Sequence, residues 1–471
     1  MKPSWTAAAS CVLSVLVSRA SALDVDLNSP ESIKQAAKLV AANLLSYYHG
    51  DEPGHTPGIL PGPPPDGDYY WWEAGAMWGT LVDYWHLTGD STYNDLASRS
   101  LIFQAGPPQN SYMPPNWTAS LGNDDQGFWG LSAMLAAEVK FPNPPADQPQ
   151  WLALAQAVWN TQAAPDRHDN TCGGGLRWQI PFANTGYDYK NSIANGIFFN
   201  MGARLARYTG NDTYAKVAVN TWDWVTGVGL MTPQYDVYDG AHIETNCTDI
   251  SKAQFTYNAA IYLQGAAFMY NYKTNGSTVW RQRVQGLAER TVEVFFSQGG
   301  AVEISCELED HIQCKTDMLS FKGYLHRWLA TSTQLAPFIH NTIMTALRKS
   351  TAAAAKACNS GGVCGFRWTT GGYDGLTGAG QQMNALAAFV SLLIDETNVT
   401  APVTNRTGGT SQGNSAAGLD SEATPRQYKP VTTADRAGAG ILTLLTLSGL
   451  LAATTWMSTT MSEGGKWNSF P

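Results

Sequence analysis

The stretch Leu121-Gly122-Asn123-Asp124-Asp125-Gln126-Gly127-Phe128-Trp129-Gly130 sets two carboxylates side by side at what reads as the start of a helix. Acidic residues in a first helical turn commonly satisfy free N–H groups and offset the helix dipole. This helix, however, is predicted to be enclosed, where a pair of acids needs a partner or a use. Cα atoms about 3.8 Å apart let the two carboxyls come within roughly 5 to 5.5 Å. At that separation one can attack a sugar's anomeric carbon while the other protonates the leaving oxygen. The same reading predicts that apolar surroundings and the adjacent charge raise the pKa of Asp125, while the helix N-terminus keeps Asp124 ionised.

Such a pair needs a scaffold, and the chain carries a repeat able to supply one. Trp85-His86-Leu87-Thr88-Gly89-Asp90-Ser91-Thr92-Tyr93, Tyr208-Thr209-Gly210-Asn211-Asp212-Thr213-Tyr214 and Tyr272-Lys273-Thr274-Asn275-Gly276-Ser277 share one pattern. The glycine suits a helix C-cap and the polar residue after it an N-cap, so each phrase ends one helix and begins another. Their spacing implies a repeat of roughly 60 residues and about six hairpins. Helical periodicity predicts one set of segments near 31–48, 92–104, 150–163, 212–226, 279–297 and 337–356. A second set falls near 71–86, 124–139, 191–208, 254–272, 318–332 and 380–394. The first set carries charges on one face, as in Val279-Trp280-Arg281-Gln282-Arg283-Val284, and reads as outer. The second is small and aromatic nearly all round, as in Ala259 to Phe268, and reads as inner. An all-α closed double ring follows. The loops leading from outer to inner segments are mostly long, so the face where inner N-termini converge is the elaborated one.

Other candidates share that face. Asp68-Tyr69-Tyr70-Trp71-Trp72-Glu73 opens the first inner helix, and Trp71 or Trp72 reads as a sugar platform. Asn123, Asn195, Asp239, Tyr257 and Lys322 lie on or near inner-helix starts and read as hydroxyl-binding groups. Arg177-Trp178 is a further substrate-binding candidate, but its echo in Arg367-Trp368 equally suits a structural arginine repeated by the hairpins. His242 and His311 have no metal-ligand spacing, so no metal or cofactor is expected. Charged residues make up 14% of the chain, 38 acidic against 29 basic, which leaves no field to attract nucleic acid. The expected partner is neutral or cationic.

The ends point outside the cell. Lys2, the apolar run Ala7 to Val17 and Ala20-Ser21-Ala22 read as a signal peptide over 1–22. Its removal takes Cys11 and leaves six cysteines, Cys172, Cys247, Cys306, Cys314, Cys358 and Cys364. The short spans favour Cys306 with Cys314 and Cys358 with Cys364, leaving Cys172 for Cys247. Sequons at Asn116, Asn211, Asn246, Asn275, Asn398 and Asn405 fit the same route. After a body over 23–395, residues 396–436 are Thr-, Ser- and Gly-rich with almost no aromatics, and read as a disordered stalk. The apolar run that follows makes 437–471 a glycosylphosphatidylinositol (GPI) signal, with Asn414-Ser415-Ala416 or Ala437-Gly438-Ala439 as attachment site; a single membrane-spanning helix is the alternative.

The Asp-Asp-x-Gly-aromatic-Trp stretch, Gly174-Gly175-Leu176-Arg177-Trp178, and Asn191-Ser192-Ile193-Ala194-Asn195-Gly196-Ile197-Phe198-Phe199 together resemble glycoside hydrolase family 76, the endo-α-1,6-mannanases. The signal peptide, stalk and tail match its fungal wall branch. The resemblance runs over about residues 25–395 and implies an (α/α)6 barrel, with Asp124 as nucleophile and Asp125 as acid/base. It implies an α-1,6-linked mannose oligosaccharide or GPI glycan as donor, a β-glucan as acceptor where transfer replaces hydrolysis, and a lipid anchor in the membrane. A carbohydrate-binding wall scaffold is the reading that competes with an enzyme.

Overall fold

The computed structural model describes residues 22–272, 276–307, 312–396, 398–419 and 433–463. The residues before Ala22 that read as a signal peptide, the third turn phrase at Lys273 to Asn275 with its sequon, His311, and the stretches 420–432 and 464–471 lie outside the described residues.

The first of two compact units runs to Leu419. It holds α1 (Pro30–Leu45), α2 (Trp71–Thr88), α3 (Asn94–Phe103), α4 (Asn123–Glu138), α5 (Trp151–Ala163) and α6 (Ser192–Thr209). α7 (Asp212–Val228), α8 (Thr256–Tyr272), α9 (Thr278–Phe295), α10 (Phe321–Leu335), α11 (His340–Lys356) and α12 (Ala379–Ser391) complete it. The even-numbered helices pack each on the next and α12 closes on α2, while each odd-numbered helix lies outside against a neighbour in the ring. The architecture is the (α/α)6 barrel. Nearly every residue of α4 and α8 is buried, which is why their sequences show no polar face.

The turn phrases act as equivalent joints. Gly89 (φ 79°) and Gly210 (φ 76°) take the left-handed conformation that ends α2 and α6. In both, the threonine hydroxyl donates to the carbonyl four residues back and accepts the N–H two residues on: Thr88 with Tyr84 and Asp90, Thr209 with Leu205 and Asn211. Across the ring, Trp72, Phe128, Tyr324 and Trp328 stack into an aromatic plug. Two buried ion pairs, Arg204–Glu138 (2.6 Å) and Arg327–Asp83 (2.5 Å), tie inner helices together.

The disulfides are Cys172–Cys247, Cys306–Cys314 and Cys358–Cys364, as the spans suggested, all in the long loops. Those loops also form a small antiparallel sheet that the all-α reading did not contain: β1 (Tyr189–Asn191), β2 (Gly240–His242) and β3 (Ile250–Ser251). The sequons at Asn116, Asn211, Asn246, Asn398 and Asn405 are exposed.

The stalk expectation needs correction at its start. Residues 402–419 belong to the first unit and run along it as a strap. Val403 N–H donates to Glu138 O (2.8 Å), Asn405 N–H to Tyr208 O (3.0 Å), and the Ser411 hydroxyl accepts from Leu152 N–H (2.9 Å). Gln156 accepts from Asn414 N–H (2.6 Å), and Asn160 donates to the carbonyls of Ser415 and Ala417. Beyond Val403, which joins the hydrophobic core, the segment offers little apolar surface, so hydrogen bonds to the barrel supply most of the order. In the second unit, α13 (Thr433–Glu463) contains an apolar run, Arg436–Thr455, of mean hydropathy 1.7, long enough to cross a membrane.

Candidate active site

Gly122 is the N-cap of α4, in extended conformation, and the pair occupies the first turn. Asp125 Oδ2 accepts the Gly122 N–H at 2.6 Å, and Asp124 Oδ1 accepts the Asp125 N–H at 3.0 Å. A side chain at Gly122 has no room, since its Cβ would lie 2.3 Å from Asp124 Oδ1 and 3.2 Å from Asp125 Oδ2. The same two distances put the carboxyl oxygens no farther apart than the about 5.5 Å of a retaining pair.

The pair lies in a cleft of about 570 Å³ on the long-loop face. Tyr70, Trp71 and Trp72 line it from α2, Trp117 from the loop before α4, Trp178 and Gln179 from the loop before α6, Tyr257 from α8, and Lys315 to Met318 with Phe321 from the start of α10. Trp71 is fixed between Trp117 and Trp129, and its Nε1 donates to Gln104 (2.8 Å). Tyr257 stacks flat on Phe321 at 3.7 Å.

Both carboxyls sit above the ordinary carboxylate range. Burial, and after it the charge of Asp125, raises Asp124 well above; burial likewise raises Asp125 to about 6. The helix N-terminus was expected to keep Asp124 ionised, but the dipole is not enough for that by itself: desolvation outweighs it and lifts the carboxyl well above the ordinary range. Two buried acids in adjacent positions share one proton over a wide pH range. Donors favour the charge on Asp124, which is served by its own N–H, that of Asp125 and the Trp178 side chain, whereas Gly122 alone serves Asp125.

Five sequence candidates turn away from the cleft and pin the loops that build it. Asn123 Nδ2 donates to Arg177 O (2.9 Å) and its Oδ1 accepts from Arg167 (2.6 Å). Arg177 pairs with Asp169 and donates to Tyr187 O, in a cluster completed by the buried Lys190. Asn195 clamps Leu176 by both its N–H and carbonyl, Asp239 accepts the Tyr189 hydroxyl (2.7 Å), and Lys322 pairs with Glu307 (2.7 Å) and donates to Phe366 O. The physical reason is related in all five: polar groups on or beside the enclosed helix starts are consumed by the long loops, by loop backbone for Asn123 and Asn195, by both backbone and a carboxylate for Arg177 and Lys322, and by the Tyr189 hydroxyl for Asp239. Asn123 and Arg177 act through Trp178, whose carbonyl accepts from Asn123 N–H (2.8 Å), so the loop carrying this ring is sewn to the start of α4.

Sequence reasoning missed Asp317, which lies half-buried in the cleft on the turn before α10, with burial raising its pKa to about 6. The signal was present: an acid precedes or opens an inner helix at Asp68, Asp124 and Asp317 alike. Outside the cleft, Asp188, His242 and Glu244 bring ligand atoms within 4.8 Å of one another despite their sequence spacing, and His242 Nδ1 lies 2.6 Å from Asp188 Oδ2.

A sequence profile of glycosyl hydrolase family 76 matches residues 32–406. A protein of Eremothecium gossypii named mannan endo-1,6-alpha-mannosidase DCW1 is 45% identical over 460 residues, covering 96% of this chain and 99% of that one. The Saccharomyces cerevisiae protein of the same name is 43% identical, covering 93% and 95%. The crystal structure of Dfg5 from Chaetomium thermophilum in complex with glucosamine superposes with a TM-score of 0.80 at 53% identity, over 84% of this chain and 98% of that one. An inactive variant of an α-1,6-mannanase from Salegentibacter sp., in complex with α-1,6-mannotetrose, shares the fold at 16% identity with a TM-score of 0.61, over 77% and 99%.

Proposed function

The chain belongs to glycosyl hydrolase family 76, and on that premise we propose that it is a mannan endo-1,6-α-mannosidase working by double displacement at Asp124 and Asp125. Asp124 attacks the anomeric carbon as the proton of Asp125 passes to the leaving oxygen, which gives a mannosyl ester on Asp124. Asp125, now ionised, takes the proton of an incoming water or sugar hydroxyl, whose oxygen displaces Asp124 and restores the original anomer. The observation that carries this reading is the adjacent carboxyl pair in the first turn of α4, both raised by burial, inside an aromatic-walled cleft. Trp72 and Tyr257 are proposed to hold the sugar rings, with Trp71, whose faces are taken by Trp117 and Trp129, stiffening the wall behind them.

The donor is proposed to be the mannose core of a GPI glycan and the acceptor a wall β-glucan. The enzyme then works outside the plasma membrane, tethered through its C-terminal end. Ala437-Gly438-Ala439 is the proposed lipid attachment site, since the strap bonds to α5 engage Asn414, Ser415 and Ala417. Failing cleavage there, Arg436–Thr455 would serve as the membrane span.

The test uses the full chain with α-1,6-mannotetraose, with and without a β-glucan acceptor, followed by mass spectrometry. Shortened oligomers mark hydrolysis and mannosyl-glucan adducts mark transfer. Asp124→Asn and Asp125→Asn are each expected to lose about 10²- to 10⁴-fold in rate; wild-type turnover in either removes that residue from its role. Binding without any product would move the chain to a carbohydrate-binding scaffold.

A further inference from the structure

Six inner helices in a ring place α10 opposite α4, so the turn Thr316–Ser320 faces the Asp124–Asp125 pair across the mouth of the cleft. This turn is held from every side. Met318 N–H donates to Lys315 O (2.8 Å), Ser320 Oγ to Asp317 O (2.7 Å), Tyr324 OH to Ser320 Oγ (2.9 Å), and Asn384 Nδ2 to Leu319 O (2.7 Å). The Cys306–Cys314 bridge closes just before it. A turn fixed this firmly does not swing its side chains to find partners.

Asp317 lines the cleft half-buried on this turn, and among the described residues its carboxyl takes hydrogen bonds only from adjacent backbone: Met318 N–H to Oδ1 at 3.1 Å and its own N–H. Among the described residues no cation pairs with it, and Lys315 is the cleft's lysine. The remaining acceptor capacity of Asp317 is open to the cleft, where a sugar that displaces solvent beside the catalytic pair must supply the donors in its place. The backbone it does use fixes its direction.

We infer that Asp317 is a substrate-binding carboxyl that accepts hydrogen bonds from two neighbouring hydroxyls of a mannose unit held beside the catalytic pair, and so reads the linkage of the chain. The inference rests on the cleft being a mannan site. Within a 1,6-linked mannose chain the hydroxyls on C2, C3 and C4 of each unit are all free, so every unit offers adjacent pairs to a two-oxygen acceptor. In every unit but the non-reducing terminal one, a 1,3-linkage consumes the middle hydroxyl and breaks both pairs. The carboxylate thereby favours the 1,6-linked chain over its 1,3-linked isomer, because the latter leaves an oxygen unpaired.

The experiment titrates the full chain at pH 7 with α-1,6-mannotriose and with α-1,3-mannotriose, following the fluorescence of the tryptophans that line the cleft. The parent should bind the 1,6-linked sugar more tightly, and Asp317→Asn should weaken that binding about tenfold or more while narrowing the preference over the 1,3-linked isomer. Asp317→Glu, which keeps the charge but moves it by one methylene, should narrow the preference as well, and it serves if the asparagine variant fails to melt cooperatively. Unchanged affinities and an unchanged ratio in the folded variants overturn the inference, as does a parent that binds neither sugar. Cleavage is scored separately: a parent that binds but does not cut, with Asp317→Asn still weakening the 1,6-linked sugar, sinks the catalytic assignment and leaves Asp317 in place.

Discussion

At the residue scale the site is a matter of desolvation. Burial is the first cause of the raised pKa values of Asp125 and Asp317, each near 6, and of Glu303, near 7, so the folded chain holds protons that an unfolded chain, titrating near 4, has released. Since the folded state then binds more protons, this contribution to stability is complete below about pH 4 and is lost as pH rises through about 6 to 7. Asp125→Asn removes the penalty of charging a buried acid. The variant should melt higher than wild type at pH 7, by on the order of 1 to 2 kcal/mol or about 1 to 3 °C, and the gain should vanish near pH 4; calorimetry at the two pH values reads it. A variant that melts lower at pH 7 would mean that the carboxyl's bond to Gly122 N–H matters more than its desolvation. The pair was legible in the sequence because its partners are adjacent there. Asp317 was not, because it reaches the cleft from the fifth hairpin, and Asn123, Arg177, Asn195, Asp239 and Lys322 misled because a polar residue at an enclosed helix start looks the same whether it faces sugar or loop.

At the scale of elements, the helices were legible and the loops were not. Periodicity is local, and the predicted segments fall within a few residues of the observed helices; the three-strand sheet and the sewing of Trp178 to α4 depend on partners tens of residues apart. Disulfides do for the loops what packing does for the helices. Cys306–Cys314 closes a span of 8 residues, so its loss should cost about 2 to 3 kcal/mol in the chain-entropy account, far short of unfolding the barrel. The wall it supports is the one that carries Lys315 to Met318. The double variant Cys306→Ser/Cys314→Ser is therefore expected to raise KM for α-1,6-mannotetraose about tenfold while kcat changes little, because the catalytic pair is seated on a different helix. An unchanged KM in steady-state kinetics would show that packing alone holds the wall.

At the scale of the molecule, the closed ring followed from counting hairpins, while the strap escaped because a composition poor in apolar residues reads as disorder when its backbone partners are out of sight. A chain cut at residue 395 loses every bond between 402–419 and the barrel and bares the face of α5. It should melt on the order of 5 °C lower than one cut at 419, as measured by calorimetry; equal melting temperatures would mean that the strap only rests on the surface. The strap also stands in series between the barrel and whatever is attached beyond Leu419. Tension arriving from that end is met in turn by Asn160, by Gln156, by the Ser411–Leu152 bond, and only then by Tyr208 and Glu138. A chain pulled from that end would thus peel from the outside inward, losing weak bonds one at a time before any load reached the seam where α12 closes the ring on α2.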